Sequence, residues 1–339
     1  MPYNPIPTGK LPPQTLKRLL AMHARPGRGV VVGPGIGLDA AVLDAGLPGE
    51  YLVAKTDPIT FVSADIGAYA VNVNANDIAC MGGTPMWFMA AVILPEGGSD
   101  EGTVEEIFGG LSAACGSLGI SLVGGHTEVT HGLDRPIVVG HMLGTVKKDR
   151  LVTTAGAKPG DAIILTKGIP IEALSIIARE KREELLRHFG LEHVERCANF
   201  VADPGISVVK DAAVAVAAGE VHCMHDPTEG GLSSGLYEIA DAAGVGIEVD
   251  ASAIRVLPEA FDILRIMRLD PLGVIASGAL VVTAPPEDAG AIVHALADAG
   301  IYAGVIGRVT EKAGGVRILR HGASEPMPVF ARDEITKIF

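Results

Sequence analysis

The 339-residue chain carries 27 Lys and Arg against 40 Asp and Glu, a formal charge of −13, with 48% hydrophobic residues and 43 glycines. This composition excludes a disordered or collagen-like chain, and the length suits about two domains, each with its own core. The acidity argues against nucleic acid and anionic membrane as partners.

No apolar run reaches the ~20 residues of a membrane span, and the opening MPYNPIPTGK has no apolar signal core, so a cytoplasmic location is expected. Cys80, Cys115, Cys197 and Cys223 are widely spaced without a CxxC and read as buried thiols.

In chain order, a Pro-rich lead and a helix over Leu16 to Met22 precede a strand at Val30 to Val32 and a glycine loop, Gly33-Pro-Gly-Ile-Gly37. Asp39 follows, then strands over Ala40 to Leu43 and Tyr51 to Thr56, the latter ending at Asp57. From Asp65 to Met81, Ile66, Tyr69, Ala70, Val73 and Ile78 recur at helical spacing, and Gly82-Gly83 ends the helix. A strand over Trp87 to Leu94 leads to a helix over Val104 to Leu118, with Thr103 and Glu106 as a capping box. A strand over Ile120 to Val123 then enters a loop, Gly124-Gly-His-Thr-Glu128, before a long strand, Ile137 to Val146.

Polar sequence from Lys147 to Asp161 is the candidate linker, dividing the chain into units 1–157 and 158–339. The second unit reads as a strand at Ala162 to Thr166, helices near Ile171 to Leu186 and Gly205 to Ala218, and a loop, His225 to Gly231, opening a helix to Ala243. Strands at Val245 to Val249, Ala279 to Ala284, Tyr302 to Val309 and Val316 to Leu319 alternate with helices at Pro258 to Met267 and Pro286 to Ala299. The fold class expected is α+β, with two mixed units of similar size.

Charge placement is informative. Between Arg28 and Arg135 the only Lys or Arg is Lys55, against thirteen Asp and Glu. Asp39, Asp57, Asp77 and Glu128 lie beside apolar or glycine-rich sequence, where burial is expected and basic partners are lacking. Carboxylates gathered in this way stay protonated or hold a divalent metal, although each alone could serve as a turn or cap. Gly33, Gly35 and Gly37 expose backbone N–H groups that could face phosphate oxygens, or could simply form a hairpin loop. No Walker A sequence occurs. The match of Gly35 to Ala40 to GxGxxA would suit a dinucleotide site, but Asp44 to Gly49 breaks the chain too soon for the required helix.

Asn72, Asn74, Asn76 and Asp77 interrupt an apolar helix on no single face, so a polar ligand beside it would satisfy them. His126 is read as a phosphate or substrate contact or as a structural histidine, and His222 to His225 lacks the second pair a zinc site needs. Gly230-Gly231 at a helix entrance suggests backbone approaching a ligand, with Asp226 and Thr228 as caps in the simpler reading.

The ordered set Asp39-Ala-Ala-Val, Thr56-Asp57, Asn76-Asp77-Ile-Ala-Cys-Met-Gly-Gly-Thr-Pro85, Gly124-Gly-His-Thr-Glu128 and Asp226-Pro-Thr-Glu-Gly-Gly resembles the AIR synthase superfamily, and within it the HypE-type hydrogenase maturation factors. The resemblance implies two AIR-synthase-like domains, with N-terminal domains pairing into an intersubunit β-barrel in a homodimer. It implies ATP in a cleft, phosphates near Gly33, Gly35, Gly37, Gly124, Gly125 and Thr127, and Mg²⁺ held by Asp39, Asp57, Asp77 and Glu128. Asn76 would orient a ligand, and His126 and Asp226 would face the substrate. HypE-like relatives have GDT where this chain has Gly125-His126-Thr127, and they end in a cysteine where this sequence ends Ile335-Thr-Lys-Ile-Phe339. Carbamoyl chemistry on its own tail is therefore not expected. The activity expected is ATP- and Mg²⁺-dependent phosphoryl transfer to a carbonyl or amide oxygen of a small substrate. The alternatives are a small-molecule kinase like thiamine-monophosphate kinase, or a non-catalytic nucleotide-binding partner of another protein.

Overall fold

A computed structural model describes residues 9–60, 62 and 64–339; most of the Pro-rich lead lies outside them. Two mixed sheets, each backed by helices, organise the chain.

The first half runs α1 (Pro13–His23), β1 (Val30–Val32), β2 (Ala41–Leu43), β3 (Glu50–Ile59), α2 (Ile66–Cys80), β4 (Thr84–Pro95), α3 (Glu101–Leu118), β5 (Ser121–Thr130) and β6 (Ile137–Lys147). Its sheet has the order β1-β2-β3-β6-β4-β5, with only β4 and β5 parallel. The sheet is open, and the barrel expected between subunits is not formed within one chain. Hairpin pairing of β1 with β2 settles the glycine loop as a β-hairpin connection and leaves no βαβ unit for a dinucleotide.

β3 alternates so that Val53, Lys55, Asp57 and Ile59 share one face, toward α2, which packs across β3 and β6. Close approach is possible because Gly140 has no side chain; a Cβ there would lie 2.3 Å from Asn74 Nδ2. Asn74 uses the space to accept from the Asp57 N–H at 2.8 Å, fixing the end of β3 against the helix.

The second half runs β7 (Ala162–Thr166), α4 (Ile171–Glu180), α5 (Arg182–Leu185), α6 (Leu191–Ala198), α7 (Val209–Ala218), β8 (Cys223–His225), α8 (Gly231–Ala243), β9 (Gly246–Asp250), α9 (Pro258–Met267), β10 (Val281–Ala284), α10 (Pro286–Asp298), β11 (Ala303–Thr310), β12 (Val316–Arg320) and β13 (Ala323–Pro326). Its sheet order is β13-β12-β9-β11-β7-β10-β8, with β12 and β9 parallel.

Several expectations need correction. The predicted loop at Gly124 to Glu128 is strand, because β5 continues beside β4 as far as Thr130. The predicted capping box gives way to Asp100, whose side chain accepts from Thr103 N–H at 2.8 Å. The predicted helix over 171–186 is divided into α4 and α5. The segment expected as a linker is packed: Thr154 is fully buried, and one hydrophobic core joins Val53, Ile78 and Phe88 to Leu174, Ile177 and Ile263 across the two halves.

Candidate functional site

Three acids from distant parts of the chain converge between the halves. Asp39 precedes β2, Asp77 lies in the last turn of α2 and Asp226 follows β8; each has a carboxylate oxygen within 4.8 Å of the others'. They are only 5%, 6% and 2% exposed. Asp77 Oδ2 and Asp226 Oδ2 are buried with no hydrogen-bond partner among the described residues. Hard oxygen donors gathered around a common point, two of them unspent, fit a divalent cation such as Mg²⁺ or Ca²⁺.

The expectation that these acids lack basic partners is overturned. Lys55 Nζ lies 3.2 Å from Asp57 and 3.3 Å from Asp77. Burial disfavours its ammonium, but Asp77 and Asp57 more than compensate and hold its pKa above the ordinary value. His225 Nδ1 is 2.6 Å from Asp39, and its Nε2 is 2.8 Å from Glu238 on α8. Burial would favour the neutral ring, yet the carboxylates at both nitrogens raise its pKa well above the usual value. Thr154 also donates to Asp39 at 2.9 Å.

Burial raises the Asp77 pKa well above the carboxylate range, against the opposing pull of Lys55. Asp226 is pushed up to about 7 by burial and then by the charge of Asp39. Cys80 Sγ lies 3.5 Å from Asp226 Oδ1. Lys55 and His225 thus balance charge that a bound cation would otherwise balance. Sequence reading passed over both as site residues, although Lys55 stood out as the one base in an acidic stretch and alternates with Asp57.

Other expected residues lie elsewhere. Asp57 borders the triad through Lys55. Glu128 and His126 pair with each other at 3.2 Å and are 54% and 72% exposed. The register runs from Asp57 to Gly140, Ala90 and Gly125, which puts β5 three strand spacings from Asp57, roughly 14 Å. Gly124, Gly125 and Thr127 share that strand, so one chain does not bring these residues to the triad.

Gly33, Gly35 and Gly37 precede Asp39 in the chain, and a Cβ on Gly37 would come within 2.9 Å of Glu238 O. Asn76 needs no ligand: its Nδ2 donates to Ile206 O at 2.9 Å and its Oδ1 accepts from Val208 N–H at 2.8 Å. Asn72 and Asn74 likewise donate to Ala68 O and Ala70 O. Gly230 and Gly231 have φ of 82° and 67°, and a Cβ on Gly231 would meet Leu272 O at 2.5 Å. Their glycines therefore answer to backbone geometry and packing instead of a ligand. Neither Asp226 nor Thr228 caps α8 with its side chain; the Gly230 N–H donates to Asp333 at 2.7 Å.

Residues 37–146 match the AIR synthase related protein N-terminal domain, and residues 158–320 match the C-terminal domain. The chain belongs to the AIR synthase-related family. Among enzymes of that family, it is 32% identical to a carbamoyl dehydratase HypE of Rhodobacter capsulatus, over 84% of each chain. It is 29% identical to a thiamine-monophosphate kinase of Pyrococcus horikoshii, again over 84% of each. The fold also matches HypE in a HypE–HypF complex, with TM-score 0.72 and 25% identity over 86% of this chain and 93% of that one. A HypE in complex with ATP gives TM-score 0.71 at 24% identity, covering 94% and 91%. No described helix is long and apolar enough to cross a membrane.

Proposed function

We propose that this protein is an enzyme that uses ATP and Mg²⁺ to phosphorylate a carbonyl or amide oxygen of a small substrate. The observation that carries this reading is the triad of Asp39, Asp77 and Asp226, drawn from both halves, with two buried oxygens unspent. The similarity to a carbamoyl dehydratase favours an amide oxygen as the acceptor.

Asp39, Asp77 and Asp226 would hold Mg²⁺, which when bound would neutralise phosphate charge as it shifts during transfer. Lys55 and His225 lie against Asp77 and Asp39 and would hold those side chains in place before the ion arrives. Gly35 and Gly37, shortly before Asp39 in the chain, would offer backbone N–H groups to a polyphosphate. The buried walls of the site exclude water, which would otherwise compete with the acceptor.

The partner expected is a second copy of this chain. One sheet face of the first half carries Leu143, Trp87 and Val139, and strand β5 leaves Val123 and Val129 more than half exposed. A groove of about 440 Å³ beside it is lined by Phe108, Leu122, Gly125, His126 and Thr127. Open apolar sheet of this kind is covered in soluble proteins, and a homodimer would bring His126, Thr127 and Glu128 toward the neighbouring site. Val123→Asp should shift the protein to monomer in sedimentation.

Thermal stability measured with ATP, with Mg²⁺ and with both tests the main reading: synergy in the wild type that disappears in Asp77→Ala supports it. Equal shifts in the two proteins would sink it. The 29% identity to a thiamine-monophosphate kinase supports a second reading, in which the product is a stable phosphate ester. ADP with a dehydrated product distinguishes the first.

A further inference from the structure

Asp39 is held from behind by hydrogen bonds that lead to α8. His225 Nδ1 meets Asp39 Oδ1 at 2.6 Å, and its Nε2 meets Glu238 Oε2 at 2.8 Å. Turning the ring over would put carbon where each nitrogen stands and break both bonds. Thr154 holds the other oxygen of Asp39 at 2.9 Å, so without His225 that carboxylate keeps one side-chain tether.

Two glycines make the arrangement possible. Gly235 lies one turn before Glu238 on α8, and a Cβ there would stand 2.9 Å from Pro227 Cβ and 3.4 Å from His225 Cδ2, so the helix reaches the ring because that position is bare. Gly37, two residues before Asp39, has φ of 71°, and a Cβ there would come 3.1 Å from Glu238 Cβ. Glu238 therefore bears on Asp39 twice, through the ring of His225 and through the backbone that leads to it. On its outer side Lys10 Nζ lies 3.7 Å from Glu238 Oε1 and donates to Thr228 Oγ1 at 3.1 Å.

We propose that Glu238 is a positioning residue for the candidate cation site: by fixing the ring of His225 it sets the direction in which Asp39 presents its carboxylate to a divalent ion. The role deepens the phosphoryl-transfer reading and rests on it for the identity of the ion. A ligand carboxylate left free to rotate must be ordered when the ion binds, and that ordering lowers affinity. Partners that hold a metal ligand from behind typically account for about 10- to 100-fold in metal binding. A hydrogen bond that merely anchored α8 would change stability and leave the ion indifferent.

Calorimetric titration of the full chain with Mg²⁺ alone, paired with thermal unfolding in chelator, separates the two roles. Glu238→Ala should weaken Mg²⁺ binding about tenfold. Glu238→Gln, whose amide oxygen still accepts from His225 Nε2, should recover most of that affinity. Glu238→Asp keeps the charge but is one methylene short of the ring, so it should bind Mg²⁺ more weakly than Glu238→Gln, and it carries the test should Glu238→Ala not fold. Tyr237→Phe removes a hydrogen bond from the same helix to Met327 O and should bind Mg²⁺ as the wild type does, whatever its Tm in chelator. Wild-type affinity in Glu238→Ala would overturn the proposal, as would better binding by Glu238→Asp than by Glu238→Gln, or an equal loss in Tyr237→Phe. A wild type that takes up no Mg²⁺ would fell the phosphoryl-transfer reading together with this role, whereas normal uptake with an indifferent Glu238→Ala fells this role alone.

Discussion

Asp39, Asp77 and Asp226 are buried beside a lysine and a histidine, whereas Glu172, equally buried, has hydroxyls and other acids around it. In the first region Lys55 and His225 set opposite charge against the gathered carboxylates, and this offsets only part of the burial that raises the pKa of Asp77 and Asp226. In the second, every charged group acting on Glu172 is an acid, so no base opposes the burial that raises its pKa to about 7. The comparison shows why acidic composition alone does not specify a metal site: burial sets the cost, and the neighbours decide whether a carboxylate meets it by pairing or by protonation.

The largest effect should come from removing a triad acid. Asp77→Ala should reduce turnover with ATP by roughly 10³-fold, because a ligand of the cation that would neutralise the transferring phosphoryl charge is lost. Phosphate-release kinetics at saturating Mg²⁺ would check it, and near-wild-type turnover would remove Asp77 from the site.

Lys55→Met should be felt in the metal-free protein first. Breaking its buried pairing with Asp77 should cost about 3 kcal/mol in urea unfolding with chelator present. Added Mg²⁺ should restore much of that loss, since the ion replaces the missing charge; no Mg²⁺ dependence would separate Lys55 from cation binding.

Glu172→Gln should act in the opposite direction. Its folded-state pKa of about 7 lies above the ordinary 4.5, so the unfolded chain ionises first and the wild type loses stability as pH rises from about 4.5 to about 7. Above that window the penalty levels off near 3 kcal/mol, about 1.4 kcal/mol for each unit of the difference. The variant should lack this segment of the pH profile and be more stable than the wild type at pH 8. Parallel profiles would break the contrast between the two regions.

The smallest effects concern the scaffold under the triad. Asn74→Ala should cost about 1 to 2 kcal/mol by orphaning the Asp57 N–H, and it should weaken Mg²⁺ binding as β3 loosens. Asp100→Ala, at a helix cap remote from the site, should lower stability slightly and leave Mg²⁺ binding unchanged.

Much of the fold was legible along the chain. Alternation marked β3 and the long strand β6, helical spacing marked α2, and glycines marked most boundaries, because these patterns depend on residues within a few positions of one another. Asp39 and Asp77 were readable as metal candidates since their apolar neighbours made burial predictable. Asp226 was singled out too, though for the substrate side, because a cap and a metal ligand look alike at a helix entrance.

Sequence by itself determined that acids would be buried in a mixed α+β chain, a consequence of local pattern and composition. Tertiary structure alone decided that Asp226 joins Asp39 and Asp77, that Lys55 and His225 neutralise them, that Asn76 is spent on the loop at residues 206–208, and that Glu128 stands on an exposed strand. Each of these depends on pairings between residues far apart along the chain, and electrostatic interaction falls with distance in space, for which separation in sequence is no guide.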